Sequence, residues 1–182
     1  MLGIQQARDV LQQAELICHA GEVQAAVARV AQEINAALAD TYPLVLSVMG
    51  GAVIFTGQLL PLLTFPLDFD YVHVSRYGGN RQGGDLHWKV EPRENVRGRV
   101  VLVVDDILDE GGTMAAIRQR VMDLGAAGFY SAVFADKLND AVKPIHADFV
   151  GVELPNRFVF GYGMDTHGAW RNLPAIYAIR ET

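Results

Sequence analysis

Residues 100–113 read VVLVVDDILDEGGT, and this stretch decides the fold. Its first five residues are branched and apolar, which is typical of a strand that is covered on both faces of a sheet. After the glycines, apolar side chains recur at helical spacing, at Met114, Ile117, Val121 and Leu124. The segment therefore predicts a buried strand, a glycine turn and a helix in direct succession.

The turn of this segment carries groups that suit a phosphorylated sugar. Its two glycines let a ligand come close to the backbone, and the N–H groups at the start of the helix favour an anion such as a phosphate monoester. Thr113 adds a hydroxyl donor. Asp105 and Asp106 are suited to hold the vicinal hydroxyls of a ribose, while Asp109 reaches toward the group attached to the sugar.

An ordinary connector between a strand and a helix can also contain an Asp-Gly turn, so the glycine pattern alone is a weak signal. Three acids beside the turn are harder to explain in this way, because each clustered carboxylate needs a compensating partner. The combination favours a binding site over a plain connector.

Length and composition narrow the class of protein. The chain has 182 residues, 51% of them hydrophobic, which suits one domain with a sizeable core. The net charge of −6 argues against nonspecific binding to nucleic acid. Cys18 is the single cysteine, so an intrachain disulfide and a cysteine-rich metal site are excluded. With no signal-like start and no apolar run of about 20 residues, we expect a cytoplasmic protein without membrane contact.

The rest of the chain alternates predicted helices and strands. Residues 1–40 form an N-terminal helical region with two helices that are split near Ala20 and Gly21. A core follows at 41–154, including a flexible loop at 75–89, and a small C-terminal unit occupies 155–182. Further strands are predicted at 44–48, 69–74, 86–90 (the returning arm of a hairpin), 129–135 and 149–154. This order predicts an α/β fold with a mostly parallel sheet flanked by helices.

A second glycine turn, Met49-Gly50-Gly51, follows the strand at 44–48. Ligands of open α/β sheets bind beyond the carboxyl ends of the strands. Both glycine turns are therefore expected to face one ligand.

Three parts of the chain together resemble a known family. They are the segment 100–113, Lys137, and the ordered C-terminal pattern of 148–165 and 171–174. The pattern closely resembles the hypoxanthine-guanine phosphoribosyltransferases of the type I purine phosphoribosyltransferase family, over roughly residues 44–180. The resemblance implies the type I phosphoribosyltransferase fold, with 155–182 as a purine-binding hood and 75–89 as a flexible loop hairpin.

The resemblance also implies an activity. Such enzymes transfer 5-phosphoribosyl from phosphoribosyl pyrophosphate (PRPP) to hypoxanthine or guanine, giving IMP or GMP and pyrophosphate. It implies Mg²⁺ as cofactor and a homodimer or homotetramer in the cytoplasm. Adenine is expected to be a poor substrate, because the lysine that recognises the 6-oxo group matches Lys137.

Individual roles follow from the resemblance, residue by residue. Asp109 is the catalytic base or proton relay. The phosphoribosyl group is bound by Asp105, Asp106, Asp109, Glu110, Gly111, Gly112 and Thr113, and pyrophosphate by Gly50, Gly51 and Arg171. Ser75 and Tyr77 belong to the flexible loop, the purine is bound by Lys137, Phe158, Val159 and Asp165, and magnesium is held near Asp105 and Asp165.

Four positions depart from the family pattern. Met49 stands where a Lys or Arg is frequent, Glu110 and Gly112 stand where Thr and Lys are common, and Arg76 is inserted between Ser75 and Tyr77. All four residues stand at positions that the resemblance places near PRPP, so the departures would change the contacts to this substrate.

Other interpretations stay open at this point. A lone Phe158 would more often be core, a lone Lys137 a surface residue, and Arg171 a partner of any acid. The enzyme could use xanthine or another 6-oxo base, and a regulator that binds PRPP or nucleotide without catalysis is the alternative from another class. The five histidines show no metal-ligand spacing.

Overall fold

The computed structural model describes residues 2–76, 86–139 and 142–180. The helices are α1 (Ile4–Gln13), α2 (Ala20–Leu38), α3 (Val53–Leu59) and α4 (Gly112–Asp123), with short 3-10 turns at Leu60–Leu62 and Glu94–Val96. The strands are β1 (Glu15–Cys18), β2 (Leu44–Met49), β3 (Asp68–Arg76), β4 (Leu86–Val90), β5 (Val100–Leu108), β6 (Gly128–Leu138), β7 (Phe149–Pro155), β8 (Val159–Phe160) and β9 (Ile176–Ala178).

The main sheet has six strands in the order β4-β3-β2-β5-β6-β7. All neighbouring pairs are parallel except β3 with β4, which forms the antiparallel hairpin predicted from the sequence. The mostly parallel α/β sheet is thereby confirmed. Residues 77–85, which include Tyr77, lie outside the described residues.

Strand β5 lies between two layers of helices, which explains its unbroken apolar run. Leu102 and Val104 belong to the core cluster that contains buried residues of α2 and α3. Val101 and Val103 belong to the cluster on the other face, with the buried side of α4. A strand with both faces in the core has no position for a polar side chain until it ends.

A second, smaller sheet was not predicted. It has three antiparallel strands in the order β1-β9-β8. The prediction of helix at Glu15–Cys18 is therefore wrong, because these four residues pair with Ile176–Ala178 at the far end of the chain. A strand of four residues is too short to show a period of its own, and its ladder depends on a partner that local patterns cannot reveal.

The small sheet joins the N-terminal region to the C-terminal unit. Arg157, just before β8, forms an ion pair of 2.8 Å with Glu15 on β1, and the Trp170 indole N–H donates to the Ala7 carbonyl of α1 at 2.7 Å. Among the described helices, none is both long and apolar enough to cross a bilayer.

Candidate active site

A cavity of about 450 Å³ lies at the carboxyl ends of β2, β3 and β5. The turn at Met49–Gly51 and the turn at 109–113 both line it, together with Ser75 and Arg171. Parallel strands present their carboxyl ends at one edge of a sheet, and the crevice there is where ligands of open α/β sheets bind. The two glycine turns therefore share one cavity, as expected from their positions in the sequence.

The 109–113 turn is shaped by Gly111. This residue has φ of +78° and caps α4, which begins at Gly112. A Cβ atom at Gly111 would lie 3.3 Å from the Pro144 side chain and 3.4 Å from the Ile145 carbonyl. The left-handed backbone and these neighbours both favour glycine. The first N–H groups of a helix have no acceptor within it, so the start of α4 offers donors to an anion in the cavity.

The two acids at the end of β5 form a buried pair. Asp105 is 8% exposed, and its Oδ1 accepts a hydrogen bond of 2.9 Å from the Asp106 N–H. Burial raises the pKa of Asp105 well above the usual range of a carboxyl group, and the neighbouring Asp106 charge raises it further. Burial also raises the pKa of Asp106, while Asp105 and the Arg171 guanidinium act in the opposite direction. The pair is therefore short of positive charge or hydroxyl donors, which a bound ligand would supply.

The first glycine turn packs directly on this acid pair. A Cβ atom at Gly51 would lie 1.9 Å from Asp106 Oδ2, and one at Gly163 would lie 2.2 Å from the Gly51 carbonyl oxygen. The backbones of Gly51 and Gly163 and the carboxylate of Asp106 thus meet without room for a further side chain. The peptide bond between Met49 and Gly50 is cis.

Lys137 lies outside the cavity wall but forms an ion pair with Asp109, which lines the cavity. Lys137 Nζ lies 3.0 Å from Asp109 Oδ2, and the lysine side chain is only 13% exposed. The Asn139 amide donates to the Asp109 carbonyl at 2.9 Å and to Asp109 Oδ1 at 3.1 Å. Both carboxylate oxygens therefore accept a hydrogen bond, and Lys137 is not the solvated surface lysine that its residue type alone would predict.

Arg171 is fixed beside Gly163. Its Nη1 donates to the Gly163 carbonyl at 2.6 Å, and its Nη2 pairs with Asp165. The other Asp165 oxygen accepts from the Gly168 N–H at 2.6 Å. Arg171 lines the cavity, whereas Asp165 reaches it only through Arg171. Within 2–76, 86–139 and 142–180, no three His, Cys, Asp or Glu side chains group closely enough to hold a metal ion by themselves.

The residues expected to hold a purine lie outside the cavity wall. Phe158 is 54% exposed, so the alternative that it is a core residue is wrong. Val159 lies on β8, the edge strand of the small sheet. The Ile179 N–H donates to the Phe158 carbonyl. Val159 and Ala178 therefore form a non-hydrogen-bonded pair of the antiparallel ladder, in which the N–H and C=O groups of each residue point away from the other strand. The backbone N–H and C=O of Val159 therefore face the open edge of the sheet.

Three site residues were not singled out by sequence reasoning. Asn139 contacts Asp109, Lys143 binds the carbonyls of Leu108 and Lys137, and His73 lines the cavity, opposite Met49 in the parallel ladder. No local pattern marks Asn139 or Lys143, because their partners come from other segments.

The cavity at the carboxyl edge of the parallel sheet combines a helix N-terminus with an acid pair, groups that suit a ligand with phosphate and hydroxyl groups. The sequence profile of the phosphoribosyl transferase domain matches residues 16–167. The chain therefore belongs to the phosphoribosyl transferase family, and the predicted fold class and enzyme class are confirmed.

Curated relatives and solved structures agree with this assignment. The chain is 33% identical over 162 residues to a hypoxanthine-guanine-xanthine phosphoribosyltransferase of Tritrichomonas foetus, covering 88% of each chain. It is 32% identical over 160 residues to a hypoxanthine-guanine phosphoribosyltransferase of Bacillus subtilis, covering 87% of this chain and 89% of the relative. A hypoxanthine phosphoribosyltransferase variant of Trypanosoma cruzi, solved as a ternary substrates complex, superposes with a TM-score of 0.84 at 29% identity, covering 93% and 97% of the two chains.

Proposed function

We propose that this phosphoribosyltransferase acts in purine salvage on 6-oxopurines. It transfers 5-phosphoribosyl from PRPP to hypoxanthine or guanine and releases IMP or GMP with pyrophosphate. The observation that carries the proposal is the ion pair between Lys137 and Asp109, which lines the cavity. The names of the relatives in Bacillus subtilis and Tritrichomonas foetus support the same substrates.

The cavity accounts for each part of PRPP. The 5-phosphate binds at the start of α4, where Gly111, Gly112 and Thr113 offer backbone N–H groups and a hydroxyl. The ribose hydroxyls donate hydrogen bonds to Asp105 and Asp106. These bonds supply the partners that this buried pair needs. Glu110 lines the same wall.

Pyrophosphate leaves on the side of the first glycine turn. The bond from C1 to pyrophosphate breaks ahead of the bond to N9 of the base, so stabilising the departing anion is the main task of the site. Arg171 lines the cavity beside Gly163 and supplies a positive charge, and Gly50 and Gly51 let the backbone come close to the anion. Ser75 lies on the same wall, at the start of the segment that leads to Tyr77.

The base binds between Lys137 and the hood. The Lys137 ammonium can only donate hydrogen bonds. It therefore favours a 6-oxo group, which accepts them, and disfavours a 6-amino group. When Lys137 turns to the purine, Asp109 Oδ2 loses its partner and becomes available to take the proton from the purine ring. Phe158 offers an exposed ring for stacking, Val159 offers its open backbone edge, and Asp165 holds Arg171 in place.

Magnesium fits this site as a cation shared with the substrate. Mg²⁺ is usually held by one or two carboxylates together with phosphate oxygens. Asp105, in the buried acid pair, has the donor type and the need for positive charge, and Asp165 is the second candidate. When bound, the ion would neutralise charge on the pyrophosphate.

Two alternative functions remain to be tested against this proposal. Acceptance of xanthine is favoured by the Tritrichomonas foetus relative, whose name includes that base, and by a hood that would contact the 2-substituent through backbone. A PRPP-binding regulator would keep the cavity and lose turnover, with Met49 and Glu110 as the first positions to examine. We also propose a cytoplasmic homodimer or homotetramer, which a solution mass measurement tests.

The test of this proposal is a product assay with PRPP, magnesium, and hypoxanthine, guanine or xanthine. Wild type should release one pyrophosphate for each IMP or GMP formed. Asp109→Asn should lower kcat by about 100- to 10,000-fold and leave the Kd for PRPP unchanged, while the exposed control Asp40→Asn should match wild type.

Three results would point elsewhere. PRPP binding without turnover of any base would contradict the proposal and favour the regulator. Turnover of xanthine alone would favour the xanthine alternative, and equal turnover of Asp109→Asn and wild type would remove Asp109 from the mechanism.

A further inference from the structure

We infer that Lys143 is a positioning residue that holds Asp109 and Lys137 in register for base recognition. The inference rests on the proposed function, because it concerns the ion pair to which that function assigns the base. Lys143 does not line the cavity and acts only through its neighbours.

The contacts of Lys143 are specific to the ends of two strands. Its side chain is 7% exposed. Lys143 Nζ donates to the Leu108 carbonyl at 2.9 Å, to the Lys137 carbonyl at 2.7 Å and to Asp136 Oδ1 at 2.5 Å. A lysine ammonium has three N–H donors, and all three have a partner here.

These partners lie where the parallel ladder of β5 and β6 stops. The last paired residues are Leu108 and Asp136. The residues that follow them are Asp109 and Lys137, whose side chains form the ion pair. Beyond this point β6 stays paired with β7 through Leu138, whereas β5 has no further partner on β6. The Lys143 ammonium therefore links the end of β5 to the ladder that still holds β6.

The neighbours of Lys143 complete the support. Asn139 holds Asp109 from the β6 side through its carbonyl and its carboxylate. The phosphate turn also packs against Pro144 and Ile145, next to Lys143, but it has support of its own because α4 is anchored in the core by Met114, Ile117 and Val121. Loss of the ammonium should therefore loosen the base-recognition pair more than the phosphate site.

A displacement of about 1 Å at a reacting group can cost roughly 100-fold in rate. For Lys143→Met we expect the KM for hypoxanthine to rise at least about tenfold and kcat/KM for hypoxanthine to fall about 100-fold. The KM for PRPP should stay within about threefold of wild type. A variant that is merely less folded would lose kcat and keep both KM values, so the split between the two KM values separates positioning from stability.

Two further variants sharpen the test. Arg8→Met removes an exposed positive charge on α1, away from the cavity, and should match wild type. Asp136→Asn removes the negative partner but leaves the ammonium to bridge the two carbonyls, so its KM for hypoxanthine should lie closer to wild type than that of Lys143→Met. Equal effects of Lys143→Met and Asp136→Asn would overturn the positioning role, as would a Lys143→Met enzyme with an unchanged KM for hypoxanthine.

An assay without turnover separates this inference from the proposed function. Amide hydrogen exchange should speed up in peptides that cover 107–109 of Lys143→Met, relative to Arg8→Met, and stay unchanged at the start of α4. Unchanged exchange at 107–109 would overturn the inference. If wild type failed to convert every base, the proposed function would fail, while the exchange experiment would still decide the link made by Lys143.

Discussion

Gly51→Ala should damage the site by a steric mechanism whose size can be worked out from the structure. The added Cβ atom would lie 1.9 Å from Asp106 Oδ2, 2.5 Å from Asp106 Cγ and 2.9 Å from Asp106 Oδ1. Ordinary contact begins at 3.4 Å, so the carboxylate or the turn must move by roughly 1.5 Å. Movement of the Asp106 carboxylate would also disturb Asp105, because the two side chains interact directly.

Two effects follow from this displacement. Overpacking of this kind costs about 1–3 kcal/mol, which for a chain of this length lowers Tm by about 2–4 °C for each kcal/mol. A shift of about 1 Å or more at the ribose-binding acid should lower kcat/KM for PRPP by roughly 100-fold.

The assay is thermal unfolding of the free enzyme together with PRPP-dependent nucleotide formation. Gly57→Ala is the matched control, because Gly57 lies exposed on α3 and a Cβ atom there would meet nothing within 4 Å. This control should be as stable as wild type or more stable, by up to about 1 kcal/mol, with unchanged kcat/KM. Equal Tm and equal kcat/KM for Gly51→Ala and Gly57→Ala would refute the steric argument and the assignment of Asp106 to the ribose.

Three further predictions concern stability and base binding. Asp105→Asn should gain stability relative to wild type as the pH rises from 4 to 7, because a buried carboxyl with a raised pKa opposes folding once it must ionise; a Tm difference that does not change with pH would contradict this. Phe158→Ala should raise the KM for hypoxanthine by about 5- to 150-fold, the equivalent of about 1–3 kcal/mol of stacking, with little change in Tm since the ring is exposed; Phe158→Tyr should retain the KM. Trp170→Phe should lower the free energy of unfolding by about 0.5–1.5 kcal/mol through loss of the hydrogen bond to Ala7, with unchanged KM values; an unaltered denaturation midpoint would show that this bond does not hold α1.

The parts of the fold that were predicted have local causes. The strand at 100–104 could be predicted because burial on both faces requires an unbroken apolar run, and the turn before α4 because Gly111 needs a left-handed backbone. The small sheet could not be predicted, because β1 is stabilised by β9, which lies at the other end of the chain. The sequence pattern carries no information on such a pairing until the chain is folded.

The same distinction applies to the site. The residues of the 105–113 segment are neighbours in the sequence, so their common role in binding can be recognised from one motif. Lys137 could be assigned only through the family resemblance, and the structure adds its contact with Asp109. Lys143 has partners 6, 7 and 35 positions away, and in the sequence it looks like any surface lysine.

The central claim is that the Lys137–Asp109 pair selects a 6-oxopurine as acceptor. The most direct measurement is the ratio of kcat/KM for hypoxanthine to kcat/KM for adenine, in wild type and in Lys137→Met, with PRPP and magnesium present. We expect a wild-type ratio of at least about 100 and up to about 10⁴, and a ratio near unity in Lys137→Met. A wild-type enzyme that uses adenine as well as hypoxanthine, or a Lys137→Met enzyme that keeps the wild-type ratio, would contradict the account.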